Sequence, residues 1–157
     1  MALLDVYTIR SELDTVNGRT ITILGDLKNG RTVHSLVTLL CHYSVHLNLV
    51  SRALAMPESV VAVSRRAGIP LQQLETLEEV LPDTNVLHVT RVQKERFQSE
   101  AEWQRVKDSY WADHALLSRE REDMIVMHPL PESTASLISE LPALIIHLLF
   151  FQKLILK

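Results

Sequence analysis

Short apolar segments alternate along this chain with segments whose apolar residues recur at helical spacing. The clearest case is TITIL at 20–24, which is β-branched and apolar and leads through a glycine-containing loop into the helical pattern TVHSLVTLLCHY. Repeated strand and helix units of this kind form a parallel sheet that carries helices on its faces. The sequence therefore predicts an α/β fold in three layers, with a mostly parallel sheet and helices on both faces.

The predicted elements can be bounded from their patterns. An opening helix carries apolar residues at positions 3, 6, 9, 13 and 16 and stops before Asn17 and Gly18. Further helices are predicted at 57–68, between a proline and a glycine, briefly at 77–82, and at 99–120. The predicted strands are 20–24, 46–51, 71–74, 85–90 and 124–127.

Charge and cysteine content argue against several classes of protein. The 157 residues, enough for one domain, include 16 basic and 19 acidic side chains, for a net charge of -3. No cluster of lysine and arginine is dense enough to follow a phosphate backbone, so no nucleic-acid partner is expected. The single cysteine, Cys41, excludes a disulfide framework within the chain. With no signal-peptide pattern at the N-terminus, a reduced, cytoplasmic setting is expected.

Three loops follow predicted strands and are the places to look for chemistry. They are GDLKNGR at 25–31, TRVQKER at 90–96 and HPLPE at 128–132. In open α/β sheets, ligands bind at the carboxyl ends of the strands, where such loops meet.

The first loop differs by one residue from a nucleotide-binding phosphate loop of the form G-x-x-x-x-G-K-S/T. Arg31 stands where that loop has lysine, and Asp26 adds an anion that would repel phosphate. None of the predicted strands leads into the aspartate that a magnesium ion would require. Arginine presents a planar fork of donors that suits a carboxylate, so a small carboxylate ligand is favoured over a nucleotide. The alternative that Arg31 only pairs or caps at the surface stays open.

The other two loops each allow a binding and a structural interpretation. Arg91, Gln93 and Arg96 lie within six residues and could complete a carboxylate site, although composition alone also fits a solvated charged turn. In His128-Pro129-Leu130-Pro131, two prolines remove N–H donors and leave carbonyl oxygens free to accept from an amide-like ligand. The same prolines would also make a rigid exit from the sheet.

Taken together and in this order, GDLKNGRTVHS, TRVQKER and MHPLP resemble the aspartate-binding domain of aspartate carbamoyltransferase. The resemblance runs from about residue 2 to 131 and is strongest to the version in multifunctional pyrimidine-synthesis proteins of animals and fungi. It implies transfer of a carbamoyl group from carbamoyl phosphate to L-aspartate in pyrimidine synthesis, by a family of homotrimers. It implies no redox cofactor and no catalytic metal.

The resemblance also assigns roles to residues of the three loops. Arg31 and Arg91 are expected to bind the aspartate carboxylates, with Gln93 steadying the second loop. Leu130 and Pro131 are expected to meet the carbamoyl group through their backbone carbonyls, and Arg96 to help hold the closed domains together. No catalytic residue is assigned within this part of the family's active site, and no direct ligand contact is assigned to His34 or Lys94.

Two departures from the family pattern shape the functional prediction. The carbamoyl-phosphate domain is expected upstream of Met1, so the chain alone is expected to be inactive, with residues 1–131 as the aspartate-binding domain. Residues 132–157 do not match the family and are apolar over a stretch shorter than the roughly 20 residues of a membrane span. This segment could cover the sheet, attach to a membrane surface, or be non-native sequence.

The alternative function is a non-catalytic module that associates with full-length carbamoyltransferase subunits.

Overall fold

The computed structural model describes residues 1–90 and 124–127, and within them five strands form one parallel sheet. The strands are β1 (Thr20–Leu24), β2 (His46–Val50), β3 (Leu71–Leu74), β4 (Val86–Val89) and β5 (Ile125–Met127). Their order in the sheet is β3-β2-β1-β4-β5, and all four neighbouring pairs are parallel. The predicted α/β fold with a parallel sheet is confirmed.

Three helices accompany these strands: α1 (Ala2–Leu13), α2 (Arg31–Leu40) and α3 (Glu58–Arg66). Helix α1 ends three residues earlier than predicted, because Asp14 adopts a left-handed conformation with φ of 62° that terminates the helix. No described helix combines the length and the apolar character needed to cross a membrane. The helix predicted at 99–120 lies outside the described residues.

The brief helix predicted at 77–82 is not an α-helix. The chain turns there and then forms a 3-10 helix at Leu81–Asp83. Pro82 lies in the first turn of this helix, and its missing N–H removes a donor that a longer helix would need. The apolar residues of the segment are still buried, which is why its pattern resembled a helix.

The two faces of the sheet are buried against different parts of the chain. Alternate side chains of the strands point to opposite faces, so each strand contributes to both. The first face packs against α1, α2 and α3 in the larger apolar cluster, which includes Ile21, Ile23, Leu47 and Leu49. The second face packs against the segment before β4; this smaller cluster includes Leu24, Val50, Leu77, Leu81 and Leu87.

A chain of three polar side chains joins the strands on the second face. The Thr84 hydroxyl donates to the carbonyl oxygen of Val80 at 2.7 Å, so it accepts from the Thr22 hydroxyl at 2.6 Å. The Asn48 amide in turn donates to Thr22 Oγ1 at 3.2 Å. These buried groups satisfy one another, which removes the cost of burying them unpaired and links β1 and β2 to the turn that precedes β4.

A buried carboxyl group lies between α1 and the sheet. Asp5 Oδ2 is 3.9 Å from His88 Nε2, too far for a hydrogen bond, and His88 is only 1% exposed. Burial raises the pKa of Asp5 from its ordinary value of 3.8 to about 6, although the positive N-terminus opposes this shift. The carboxyl group therefore keeps its proton in the folded chain at a pH where it is already ionised in the unfolded chain.

We expect the free energy of unfolding to fall as the pH rises from about 4 to about 6. Because the folded state binds more protons than the unfolded state in this window, the contribution of Asp5 is fully present below pH 3.8 and is lost above about pH 6. Asp5→Asn, which carries no charge, should remove this pH dependence and stabilise the fold by about 1–2 kcal/mol at pH 7.5. Urea unfolding at pH 4.5, 6 and 7.5 measures both effects.

The exposed Asp14, which lies just beyond α1, provides the matched control. Asp14→Asn should leave this pH dependence unchanged, since asparagine also tolerates the left-handed conformation. If Asp5→Asn were destabilising at pH 7.5 and kept the wild-type slope, Asp5 would not be the group responsible.

Candidate functional site

The three candidate loops leave the sheet from adjacent strands. β4 lies between β1 and β5, and the register aligns Ile23 with His88 and His88 with Met127. Neighbouring strands lie about 5 Å apart, so the ends of β1, β4 and β5 fall within about 10 Å along one edge. The loops that begin at 25, at 90 and at 128 therefore start side by side.

The first loop approaches the end of β4 more closely than a side chain would allow. Gly25 has a φ of 125°, and a Cβ atom at this position would lie 2.2 Å from the carbonyl oxygen of Thr90 and 2.5 Å from its hydroxyl oxygen. The amide of Thr90 donates to the carbonyl oxygen of Leu24 at 2.7 Å, which continues the β1–β4 pairing to this point. Among the described residues, the buried Thr90 hydroxyl has no hydrogen-bond partner. The residue before Arg91 is thus fixed directly against the Arg31 loop.

The loop is also held together from within. The Asp26 side chain is 1% exposed and accepts from the backbone amide of Asn29 at 2.9 Å and from its side-chain amide at 3.2 Å. A Cβ atom on Gly30 would lie 2.7 Å from the carbonyl oxygen of Asp26, so the loop closes tightly at its second glycine as well. From the sequence, Asp26 was expected to repel a bound phosphate; in the structure its carboxylate is turned into the loop that it stabilises.

Leu27 connects the loop to two other parts of the fold. Its side chain is 1% exposed, and its amide donates to the carbonyl oxygen of Leu54, which follows β2, at 3.1 Å. Its own carbonyl oxygen lies 2.8 Å from Nε2 of His34 in α2. The middle of the loop is therefore bound both to the end of β2 and to the helix that follows the loop.

Arg31 is the first residue of α2, directly after the helix cap at Gly30. The first turn of α2 contains no acidic residue, and no side chain caps its amides. The side chain of Arg31 is exposed and has no ion-pair partner among residues 1–90 and 124–127. A cationic side chain and the positive end of a helix dipole thus lie together at the edge where the loops begin, an arrangement that favours an anion.

Of the predicted site residues, Arg31 is the one that the structure places. Arg91, Gln93, Arg96, Leu130 and Pro131 lie outside the described residues, and their roles stay predictions. Sequence reasoning gave no structural role to His34, Leu54 and Thr90, which hold the first loop in place. Gly25 and Gly30 are residue types that permit a close backbone approach, but no local pattern in the sequence indicates which residue lies against them.

Comparison with known proteins identifies what this arrangement resembles. A family model described as aspartate/ornithine carbamoyltransferase, Asp/Orn binding domain, matches residues 17–146. The multifunctional protein pyr1-3 of Dictyostelium discoideum is 56% identical over 131 residues, which cover 83% of this chain and 6% of that protein. The aspartate carbamoyltransferase catalytic subunit of Thermoplasma acidophilum is 47% identical over 131 residues, 82% of this chain and 42% of that subunit.

Solved structures agree with the sequence comparison. The catalytic subunit of M. jannaschii aspartate transcarbamoylase matches with a TM-score of 0.82 and 35% identity, over 96% of this chain and 50% of that one. The Trypanosoma cruzi aspartate transcarbamoylase in complex with N-(phosphonacetyl)-L-aspartic acid matches with a TM-score of 0.77 and 36% identity, over 96% and 50%. The chain thus spans about half the length of these subunits or less.

The close approach at Gly25 generates a test of the geometry. Gly25→Ala should destabilise the fold by about 3 kcal/mol. Alanine is strained at the positive φ of this position, and its Cβ atom would clash with the backbone of Thr90. Gly68→Ala is the matched control, since Gly68 also has a positive φ, of 72°, but its added Cβ would have no neighbour within 4 Å. The control should cost only about 1–2 kcal/mol. Equal losses for the two variants in urea unfolding would contradict the contact.

Proposed function

The chain belongs to the aspartate/ornithine carbamoyltransferase family, as its Asp/Orn-binding domain, and we propose that it supplies the aspartate-binding half of an aspartate carbamoyltransferase. The proposed reaction converts carbamoyl phosphate and L-aspartate to N-carbamoyl-L-aspartate and phosphate, in pyrimidine biosynthesis. The observation that carries the proposal is the placement of Arg31 at the positive end of α2, beside the strand ends from which the other two loops start.

Arg31 is suited to bind a carboxylate of the substrate. Its guanidinium can donate two parallel hydrogen bonds to one carboxylate, and the α2 dipole adds to the attraction. The absence of an acidic residue from the first turn of α2 leaves this cation available to a ligand. Aspartate has two carboxylates, so a second cation is needed, and we assign that role to Arg91, which follows Thr90 in the chain.

The remaining assignments extend this site across the other two loops. Gln93 steadies the second loop, and Arg96 helps to hold the closed domains together. The backbone carbonyls of Leu130 and Pro131 accept hydrogen bonds from the carbamoyl amide. The adjacency of β1, β4 and β5 supports these roles, because it starts the three loops at one edge of the sheet.

The reaction requires positioning more than protein nucleophiles. The α-amino nitrogen of aspartate attacks the carbonyl carbon of carbamoyl phosphate, a C–N bond forms, and the C–O bond to phosphate breaks as the amine loses a proton. Holding two anionic substrates in line and stabilising the developing negative charge supplies much of the rate enhancement in such a reaction. This half contributes by orienting the amine through the two carboxylates, and no catalytic residue is assigned to it.

The proposal includes the arrangement of the complete enzyme. We assign residues 1–131 to the aspartate-binding domain and 132–157 to a divergent apolar tail, into which the family match extends as far as residue 146. The carbamoyl phosphate is held by a second domain, in a homotrimer, in the cytoplasm. The solved T. cruzi complexes, whose names include carbamoyl phosphate and aspartate with phosphate, support this choice of substrates.

We expect the chain to bind N-(phosphonacetyl)-L-aspartate through its aspartate portion. Arg31→Ala should weaken this binding about 10- to 100-fold, the range expected for losing hydrogen bonds between charged groups. Arg66→Ala is the matched control, because Arg66 is exposed and ends α3, which runs back to the opposite edge of the sheet. Isothermal titration calorimetry of the three proteins measures the difference, and equally weak binding by all three would count against the site.

The chain by itself should form no carbamoyl aspartate above background, because one of the two substrates is proposed to be held by another domain. A colorimetric assay for carbamoyl aspartate with saturating carbamoyl phosphate and aspartate tests this expectation. Substantial turnover by the purified chain would contradict the proposed division of the active site.

A non-catalytic role is the second candidate. Met1, which precedes α1, and Leu3 and Tyr7 within it are between 55% and 76% exposed, and exposed apolar side chains of this kind favour association with another protein. In this role the chain would associate with full-length carbamoyltransferase subunits. Co-purification with such a subunit would support it, and a monodisperse monomer that shows no association would rule it out.

A further inference from the structure

The imidazole of His34 reaches back from α2 to the loop that precedes the helix. Its Nε2 atom lies 2.8 Å from the carbonyl oxygen of Leu27. A carbonyl oxygen can only accept, so Nε2 must carry a proton and donate it. The bond therefore fixes the orientation of the ring and joins α2 to the middle of the loop.

The residue that accepts this bond is itself firmly held. Leu27 is buried, and its amide donates to Leu54 beyond the end of β2. The loop on either side is closed by the bonds from Asn29 to Asp26 and by the close approach of Gly30 to the Asp26 carbonyl. His34 thus ties the first turn of α2 to a rigid segment and not to a free loop.

In the sequence, Arg31 lies between Leu27 and His34, the two residues that this hydrogen bond joins. It follows Gly30 directly and precedes His34 by three residues, so its Cα position depends on how the loop enters the helix. A long arginine side chain loses much conformational freedom when it binds a carboxylate, and a fixed backbone limits that loss. A bidentate contact also demands an accurate direction of approach.

We infer that His34 is a positioning residue for Arg31, acting through its hydrogen bond to Leu27. The inference rests on the proposed function, in which Arg31 binds a substrate carboxylate. His34 itself does not contact the substrate; it holds the loop and the first turn of α2 as one unit. None of the ligand-binding roles proposed for the three loops involves His34.

Three substitutions separate this role from a general effect on folding. His34→Met removes the donor at a similar volume, whereas His34→Gln keeps an N–H donor at a similar reach. Thr38→Ala is the control on the same helix, because the Thr38 hydroxyl donates to the His34 carbonyl oxygen within α2. If His34→Met does not fold, His34→Asn serves instead, since its shorter amide does not reach Leu27.

Binding of N-(phosphonacetyl)-L-aspartate gives the functional readout. His34→Met should weaken binding about fivefold to tenfold, the size expected from one hydrogen bond, while His34→Gln and Thr38→Ala stay within about twofold of wild type. In an Arg31→Ala background, His34→Met should cause no further loss, because its effect passes through Arg31. Equal losses with and without Arg31, or no rescue by glutamine, would overturn the inference.

Amide hydrogen exchange gives a readout that does not depend on the ligand. His34→Met should accelerate exchange of the Leu27 and Asn29 amides about fivefold and leave Leu40, at the far end of α2, unchanged. Unchanged loop exchange would overturn the positioning role. If wild type did not bind N-(phosphonacetyl)-L-aspartate but loop exchange responded as expected, the proposed function would fail while the tie between His34 and the loop would stand.

Discussion

The parallel pairing of β1 on both of its edges is the constraint from which the rest of the architecture follows. Parallel neighbours cannot be joined by a tight turn, so the chain must return across a face of the sheet after each strand. Each return brings the chain back to the edge of the sheet where the previous strand began. The carboxyl ends of all the strands therefore lie at the opposite edge. The start of α2 therefore lies at the edge of the sheet where β1, β4 and β5 end.

Within that edge, the first loop shows how a short segment can be made rigid without regular structure. Its two glycines permit backbone contacts that no other residue could make, one with Thr90 and one within the loop. The buried Asp26 carboxylate replaces water with amide donors from Asn29. The exposed Arg31 therefore follows a segment whose backbone is held by these contacts, and its guanidinium has no ion-pair partner among the described residues.

The sequence predicted the features that depend on local patterns. TITIL predicted β1 with its observed bounds, because alternation and β-branched residues act over a few positions, and the short polar strand predicted at 71–74 is β3. It did not predict contacts between distant residues, such as the Thr22–Thr84 bond across 62 positions or the bond of His34 to a carbonyl oxygen. The inward orientation of Asp26 was not predicted for the same reason, since an acidic residue in a loop looks identical in the sequence whether it faces a ligand or the loop itself. The family resemblance was available because three separate motifs occurred in one order.

The contact between Gly25 and β4 limits how this edge can change through evolution. The nearest obstacle to a side chain at position 25 is the carbonyl oxygen of Thr90, which every amino acid at position 90 would also carry. No second substitution at that site can make room, in contrast to a side-chain clash, which a smaller neighbour relieves. A side chain at position 25 would require the ends of β1 and β4 to move apart, and the start of the loop after each strand would move with it.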